Sequence, residues 1–341
     1  MRTLFSIKNL FNTLKVLVSL GLALFLFWYL YKDGFSDTLQ RLKEVKYQWV
    51  VLSMGFGIIS HFLRAYRWKL LLEPTGHYPS LPRTLIALLV GYLVNLAVPR
   101  LGEVTRCLVL KKTNQIPVTS SLGTVVSERV LDVLSLLIIT GITFLIEFEK
   151  LNELFSGLFA DKLSGVYSNM EQNIWYLIVF VILIIGLWYF IKNKIKKSSW
   201  WQKLKTFLKQ LWLGFISITR LKNPGAFWLS TIGIWLMYYL MSFVVFYSME
   251  PTAHLGWRAG LALLVMGGLA YSAPVQGGIG AYHLLVSGLL VYYGVTREEG
   301  LSFAFLLHSS QMVLIILAGL ASSIIVLILG KKPLVSDDSP P

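Results

Sequence analysis

The sequence predicts an all-α polytopic membrane protein, with about six full spans and two re-entrant broken-helix hairpins arranged as an inverted repeat. Three observations carry this. Of 341 residues, 55% are hydrophobic and 14% charged, and the mean hydropathy is +0.65, the balance of an integral membrane chain rather than a soluble domain. Long apolar runs recur along the whole sequence. Two of them break alike, at Asn95 to Glu103 and at Tyr271 to Gly278, each placing Pro-x-x-Gly inside a membrane-length segment. In hydrocarbon a freed N–H or C=O must find a partner, so a broken helix at depth lines a cavity or is covered by protein. Gly/Pro-interrupted segments at matching positions of two halves point to a transporter's binding site.

The first run, Val16 to Tyr31, follows Arg2, Lys8 and Lys15 and has the outline of a signal peptide. No small-x-small cleavage site follows it, and Trp28, Tyr29 and Tyr31 form an aromatic collar before Lys32. It is therefore read as a retained first span. Further runs are Trp49 to Leu72, Thr84 to Leu110 with its break, Thr124 to Phe148, Ile174 to Ile191, Phe227 to Met249, Gly260 to Tyr293 with its break, and Ser302 to Gly330. Each broken run has only about 15 apolar residues before its proline, fewer than the roughly 20 a crossing needs. Hairpins over about 84–111 and 260–293 are expected, within one transmembrane domain over 1–330. The Lys32 to Tyr47 linker has room for a short surface helix. Lys203 to Arg220, with Trp200, Trp201, Trp212 and Phe215 nearby, reads either as an interfacial amphipathic helix or as a solvated loop helix. Lys331 to Pro341 is expected to be a disordered cytoplasmic tail.

Charge sets the orientation. Lys192 to Lys222 holds nine Lys/Arg and no acid, whereas Glu147 to Glu171 holds five acids and two bases, so the first marks the cytoplasmic side and the second the outside. If both broken runs are hairpins, Arg64, Arg67, Lys69, Arg83, Lys111, Lys112, Lys331 and Lys332 all fall inside. Both termini are then cytoplasmic, in the cytoplasmic (inner) membrane. The Lys32 to Lys46 loop, with four bases and three acids, fits this arrangement poorly. The hairpins would enter from opposite faces. Pro99 and Pro274 lie 175 residues apart, and the Val-Thr pairs at Val118 and Val295 lie 177 apart, the register of an inverted repeat.

An Asp, Glu or Arg in a membrane helix costs about 2.5–3.5 kcal/mol on insertion scales, so such residues face a cavity or pair with one another. Arg100, Glu103 and Arg106 follow Pro99 at three-residue spacing, which on a helix sets a carboxylate between two guanidiniums on one face. Such a fork matches a phosphate bidentately; the alternative is a structural ion pair holding the hairpin to the next helix. Glu128, Arg129 and Asp132 sit early in that helix and are expected to form the partner network. Arg64 and Arg67 end the second span, either as anchors or as part of the site. Asn95 stands one turn before Pro99. In the second hairpin Gln276, Tyr271, Tyr282 and His283 surround Gly277, Gly278 and Gly280, where backbone amides can approach a ligand closely; helix packing through small residues is the other reading. His308 and Gln311 could meet this hairpin from the last helix.

The net charge of +14 points to anionic membrane headgroups; with no soluble fold to carry a groove, nucleic acid is not expected. A single cysteine, Cys107, excludes an internal disulfide and a cysteine metal cluster. No His-Glu-x-x-His, Gly-x-Ser-x-Gly, Walker loop or acidic metal cluster is present in the sequence, and Gly278-Ile-Gly280 lacks the context of a dinucleotide site. No cofactor, metal or catalytic residue is expected, and enzymatic chemistry is unsupported.

Taken together, Arg64-x-x-Arg67-Trp68, Asn95, Pro99-Arg-Leu-Gly102-Glu103-Val-Thr-Arg106, Glu128-Arg129-x-x-Asp132, and Pro274 with Gly277-Gly278-Ile-Gly280 resemble the lysylphosphatidylglycerol synthase transmembrane-region family, over about residues 10–330. The resemblance implies a flippase-like, lipid-translocating domain with re-entrant helices. In the lysyl-lipid synthases aminoacyl transfer belongs to a separate soluble domain, which is not expected in this chain. Some relatives accompany glycosyltransferases that use polyprenyl-phosphate sugars. The chain departs from the family pattern in having Val275 and Gln276 between Pro274 and the glycines, and His283 where many relatives carry an acid.

The expected function is translocation of an anionic phospholipid or polyprenyl-phosphate-linked lipid. Arg100 and Arg106 would bind the phosphate, Glu103 would orient them or bind a cationic headgroup moiety, and Glu128, Arg129 and Asp132 would form the switching network. The partners are anionic lipids, together with a lipid synthase or glycosyltransferase. A membrane-embedded transferase and a scaffold for a lipid-linked glycosyltransferase are the alternatives.

Overall fold

The computed structural model describes residues 2–32, 34–148, 221–273 and 275–329. Among these the secondary structure is helical: α1 (Arg2–Tyr31), α2 (Phe35–Arg41), α3 (Tyr47–Leu72), α4 (Leu81–Ala97), α5 (Leu101–Asn114), α6 (Val118–Ile146), α7 (Pro224–Phe243), α8 (Trp257–Ser272), α9 (Ala281–Val291) and α10 (Arg297–Leu329), with short 3₁₀ turns between. Four stretches, Tyr47–Thr75, Val118–Ile146, Pro224–Ser248 and Arg297–Ile328, are long and apolar enough to cross a membrane. A fifth is added if Leu17–Tyr31 counts with Phe35–Glu44, from which it bends by 76°. The expected span Ile174 to Ile191, the amphipathic segment Lys203 to Arg220, Pro274 and the tail from Lys331 lie outside the described residues. The short surface helix expected in the first linker is α2.

Local chemistry sets the ends of the elements. Pro82 opens α4, where its missing N–H costs nothing. Asn223 caps α7 by accepting from the Ala226 N–H at 3.0 Å, with Pro224 at the first helical position. At 17, 14, 16 and 11 residues, α4, α5, α8 and α9 are each no longer than about 25 Å at 1.5 Å per residue, short of the roughly 30 Å hydrocarbon core.

Both broken runs fold back on themselves. α4 and α5 cross so closely that a Cβ on Gly91 would sit 2.7 Å from the Gly102 carbonyl oxygen and 3.2 Å from the Arg106 Cβ. In the second pair a Cβ on Gly267 would sit 3.2 Å from the Tyr282 ring, and Tyr271 packs on Tyr282 at 5.4 Å between ring centroids. The first pair covers residues 81–114 and the second 257–291.

They open toward opposite ends of the molecule. At one end Tyr31 donates to the Leu301 carbonyl at 2.8 Å, the Lys46 N–H donates to the Ser248 carbonyl at 2.9 Å and Tyr293 donates to Glu147 at 3.0 Å. This gathers α2, the 244–256 turns, the end of α6 and the mouth of the second hairpin. A core including Val45, Phe246, Leu263, Leu289 and Phe303 lies beneath it. At the other end Lys222 stands over the Tyr78 ring at 4.8 Å, and Trp68, Leu72, Leu110, Ile116 and Val326 pack around the mouth of the first hairpin. Between the ends the two tips touch, Gln276 Nε2 donating to the Ala97 carbonyl at 2.6 Å.

Candidate functional site

α3 brings a polar stripe into the bundle. Trp68 Nε1 donates to Thr124 Oγ1 at 3.0 Å, fixing the end of α3 against α6. That contact sets Arg64 and Arg67 opposite Glu128 and Asp132, which share one face of α6 because they lie four residues apart. Arg64 Nη2 donates to Glu128 Oε1 at 2.8 Å and to Asp132 Oδ2 at 2.6 Å. Arg67 Nη2 reaches Asp132 Oδ1 at 2.5 Å and Glu128 Oε1 at 3.3 Å. Arg106 comes from the returning arm of the first hairpin, its guanidinium 4.5 Å over the Trp68 ring and its Nη2 2.8 Å from Glu128 Oε2. That last contact is close enough for an ion pair but off the angle of a hydrogen bond.

A second pair lies at the edge. Arg129 Nη2 donates to Glu103 Oε1 at 2.8 Å, the two side chains 40% and 20% exposed. Asn95 belongs to the same corner, its Oδ1 accepting from the Gly102 N–H at 2.7 Å and its Nδ2 standing 3.5 Å from Glu103. The cluster thus sets four guanidiniums, Arg64, Arg67, Arg106 and Arg129, against three carboxylates, Glu103, Glu128 and Asp132. Glu128 and Arg67 are fully buried, and Arg106 is 2% exposed. Buried arginines normally have their donors filled, yet Arg67 Nε and Nη1, Arg106 Nε and Nη1, and Arg64 Nε have no protein partner among the described residues. Together with the unbalanced positive charge, these donors are what an anion with several acceptor oxygens would satisfy.

Arg100 is placed differently from the sequence expectation. It is exposed, has φ 67° and precedes the first turn of α5, so it does not share a helical face with Glu103 and Arg106. α4 ends at Ala97 and Pro99 lies in the turn, which leaves Arg100 in a left-handed conformation uncommon for a non-glycine residue. Glu103 consequently pairs with Arg129, and Arg106 with Glu128. Arg64 and Arg67 belong to the buried network rather than to an interfacial anchor.

In the second hairpin Gly277, Gly278 and Gly280 all take positive φ, at 58°, 75° and 80°, a conformation only glycine adopts without strain. His308 Nε2 donates to the Gly277 carbonyl at 2.8 Å, and the Gly280 N–H donates to His283 Nδ1 at 3.2 Å. Gln276 is used in the tip contact. Gln311 instead faces α3, donating to Ser53 Oγ at 3.1 Å.

Two site residues escaped the sequence reading. Tyr238 accepts from Arg64 Nη1 at 2.8 Å, and the Tyr92 ring lies 6.0 Å from the Arg64 guanidinium. Their signal was a hydroxyl-bearing ring in the middle of an apolar run, where a tyrosine needs a partner for its polar tip. Among the described residues no group of His, Cys, Asp and Glu is arranged to hold a metal ion.

No solved structure matches the chain. It is similar to the UPF0104 membrane protein MJ1595 of Methanocaldococcus jannaschii, 28% identical over 102 residues, which is 29% of this chain and 30% of that protein. The family model of the lysylphosphatidylglycerol synthase TM region matches residues 12–319. With nearly all of the helical bundle inside that match, the chain belongs to the lysylphosphatidylglycerol synthase transmembrane-region family.

Proposed function

We propose that the protein translocates an anionic lipid, a phospholipid or a polyprenyl-phosphate-linked lipid, whose headgroup enters between the two hairpins while its acyl chains stay in the bilayer. The observation that carries this reading is the largely buried cluster of four guanidiniums and three carboxylates, open at its Arg129–Glu103 edge and with unfilled arginine donors inside, set beside two hairpin tips that meet. Arg106 and Arg67 offer forks to the phosphate, Arg100 stands at the rim, and Glu128 and Asp132 hold the guanidiniums when no headgroup is bound. Half-helices that meet at depth are where alternating-access transporters place their sites.

An inverted repeat supports the reading. Gly267 and Gly278 lie 176 residues after Gly91 and Gly102; Gly91 and Gly102 meet at the first hairpin's crossing, while Gly267 and Gly278 pack against Tyr282 and Tyr271 in the second. Arg106 and Tyr282 keep the same separation, and so do Gly57 and Gly233 in α3 and α7. Packing between the halves is reciprocal: Gly319 of α10 meets Leu93 of α4, while Gly268 of α8 meets Leu136 of α6. In this arrangement the mouth of the first hairpin, beside Lys222, faces the cytoplasm, and the mouth of the second faces outside. On a Cys107→Ser background, a membrane-impermeant thiol reagent should label His254→Cys in intact cells and Ser80→Cys only after permeabilisation. Labelling of both from one side would remove the opposed hairpins.

The function itself is tested with purified protein in liposomes containing headgroup-labelled phosphatidylglycerol, phosphatidylcholine or a polyprenyl phosphate. Flipping of an anionic lipid is expected, slowed at least tenfold by Arg100→Ala, which removes an exposed side chain and leaves the buried pairs intact. If none of these lipids moves faster than in protein-free vesicles, the translocase reading fails.

A further inference from the structure

Hairpin two holds a second group of titratable side chains that the lipid site does not use. His283 of α9 and His308 of α10 are 1% and 2% exposed, with ring centroids 5.0 Å apart. Each touches the broken segment. His308 Nε2 donates to the Gly277 carbonyl, and His283 Nδ1 accepts from the Gly280 N–H, capping the first turn of α9. Those bonds assign the tautomers: both rings carry their single proton on Nε2. His283 Nε2 is buried without a hydrogen-bond partner among the described residues.

Among the described residues the surroundings hold no counter-ion. Facing His283 are Phe27 and Tyr31 of α1, edge-on at 5.9 and 5.5 Å, Tyr282 of α9, and Phe305 and His308 of α10. Facing His308 are Tyr271 of α8 and Tyr282. The Tyr31 hydroxyl is committed to the Leu301 carbonyl, and no Asp, Glu, Lys or Arg pairs with either ring among the described residues. A charged imidazole here would be an unpaired buried cation, which folded proteins do not tolerate.

We propose that His283 is a proton-binding site whose occupancy opens the second hairpin, so that the lipid movement proposed above is coupled to protons. The proton must go to Nδ1, the lone pair that now receives the Gly280 N–H. Protonation therefore turns acceptor into donor, sets two N–H groups against each other and breaks the cap. A proton on His308 would go to Nδ1 and leave its bond to Gly277 in place, so the switch is at His283. With the rings 5.0 Å apart, like-charge repulsion keeps the pair to a single proton. The capped state binds no proton at His283 Nδ1 and the uncapped state can bind one. Acid therefore favours opening, by up to tenfold per pH unit where only the uncapped state takes the proton. The inference rests on the translocase reading only for what the opening does, not for the opening itself.

The test separates the two. Hydrogen–deuterium exchange of residues 276–287 in nanodiscs, corrected for the intrinsic pH dependence of exchange, is compared at pH 7.5 and 5.5. Protection of the Gly280 amide and the first turn of α9 is expected to fall about tenfold in the native protein. His283→Gln should abolish the fall, because glutamine at the third helical position reaches back to the same N–H without titrating. His308→Gln, which keeps a donor for Gly277, should retain it. Protection that is independent of pH in the native protein, or that falls equally in His283→Gln, overturns the proposal. In liposomes with an imposed pH gradient, native protein should move anionic lipid faster from the acidic side and His283→Gln should not. Lipid movement indifferent to the gradient overturns the coupling. The expected exchange pattern with no lipid movement at any pH keeps the proton site and removes the translocase.

Discussion

Glu128→Gln is expected to be the most damaging single substitution in the charge network. The carboxylate is fully buried and lies within 3.3 Å of three guanidiniums, those of Arg64, Arg67 and Arg106. Glutamine keeps the shape and removes the charge, leaving three buried cations with Asp132 as their nearest remaining anion. Stripping one partner from a buried ion network costs about 3–5 kcal/mol, because the uncompensated charge stays desolvated. The measurable outcome is a large fall in thermal midpoint in mild detergent, with reduced folded yield. A second substitution gives the mechanism a sign: Arg106→Gln on the Glu128→Gln background should recover part of the loss, since it removes a cation that no longer has a partner. That non-additivity, expected at 0.5–3 kcal/mol for groups in contact, distinguishes charge imbalance from a simple packing defect. Equal melting of Glu128→Gln and native protein would mean that water reaches the cluster and screens it. The exposed Arg129–Glu103 pair is the internal comparison. Its Arg129 side chain is 40% exposed, so Arg129→Gln should cost no more than about 1 kcal/mol, as surface pairs do.

How much of this was readable beforehand depends on the range of the signal. Breaks and polar faces are local, and Pro99, Gly102 and the Glu128/Asp132 spacing announced themselves within a few residues. The two hairpins were expected from the Pro/Gly breaks, from the charge of the loops and from the roughly 15 apolar residues before each proline, too few to cross. What stayed hidden is set by contacts between distant segments. Arg64 meets Glu128 across 64 residues and Asp132 across 68, and no spacing rule pairs them; only the Trp68–Thr124 contact fixes that register. Three-residue spacing placed Arg100 on one face with Glu103 and Arg106. The rule holds only inside a helix, and α5 begins one residue too late. The same limit applies in the second hairpin, where His308 was expected to approach and does, through a backbone carbonyl that Gly277 exposes in its left-handed turn. Gln311, three residues later, turns away to Ser53 on α3.

Gly102→Ala should produce the other large effect, and it tests the hairpin rather than the charges. A Cβ at Gly102 would overlap the Gly91 carbonyl oxygen and lie 2.6 Å from Asn95 Cγ. The first obstacle is backbone, which cannot rotate away, so α4 and α5 must separate. Overpacking of this kind costs about 1–3 kcal/mol and sometimes more, and separation also stretches the bond from the Gly102 N–H to Asn95 Oδ1. Asn95→Ala alone measures that bond, at about 1 kcal/mol for a buried polar contact. Gly141 in α6 supplies the opposite case: among the described residues nothing lies within 4 Å of its Cβ position, so Gly141→Ala gains helix propensity and should hold or raise the thermal midpoint, by up to about 1 kcal/mol. Intrinsic propensity favours alanine at both positions, so a drop at Gly102 beside no loss at Gly141 isolates the close crossing of the hairpin arms. Equal shifts at the two sites would show that α4 and α5 do not meet as described. The crossing also carries Arg106 against Glu128, so the same substitution should slow any lipid movement even where folded protein is recovered. Arm separation moves a guanidinium that the network holds at 2.8 Å.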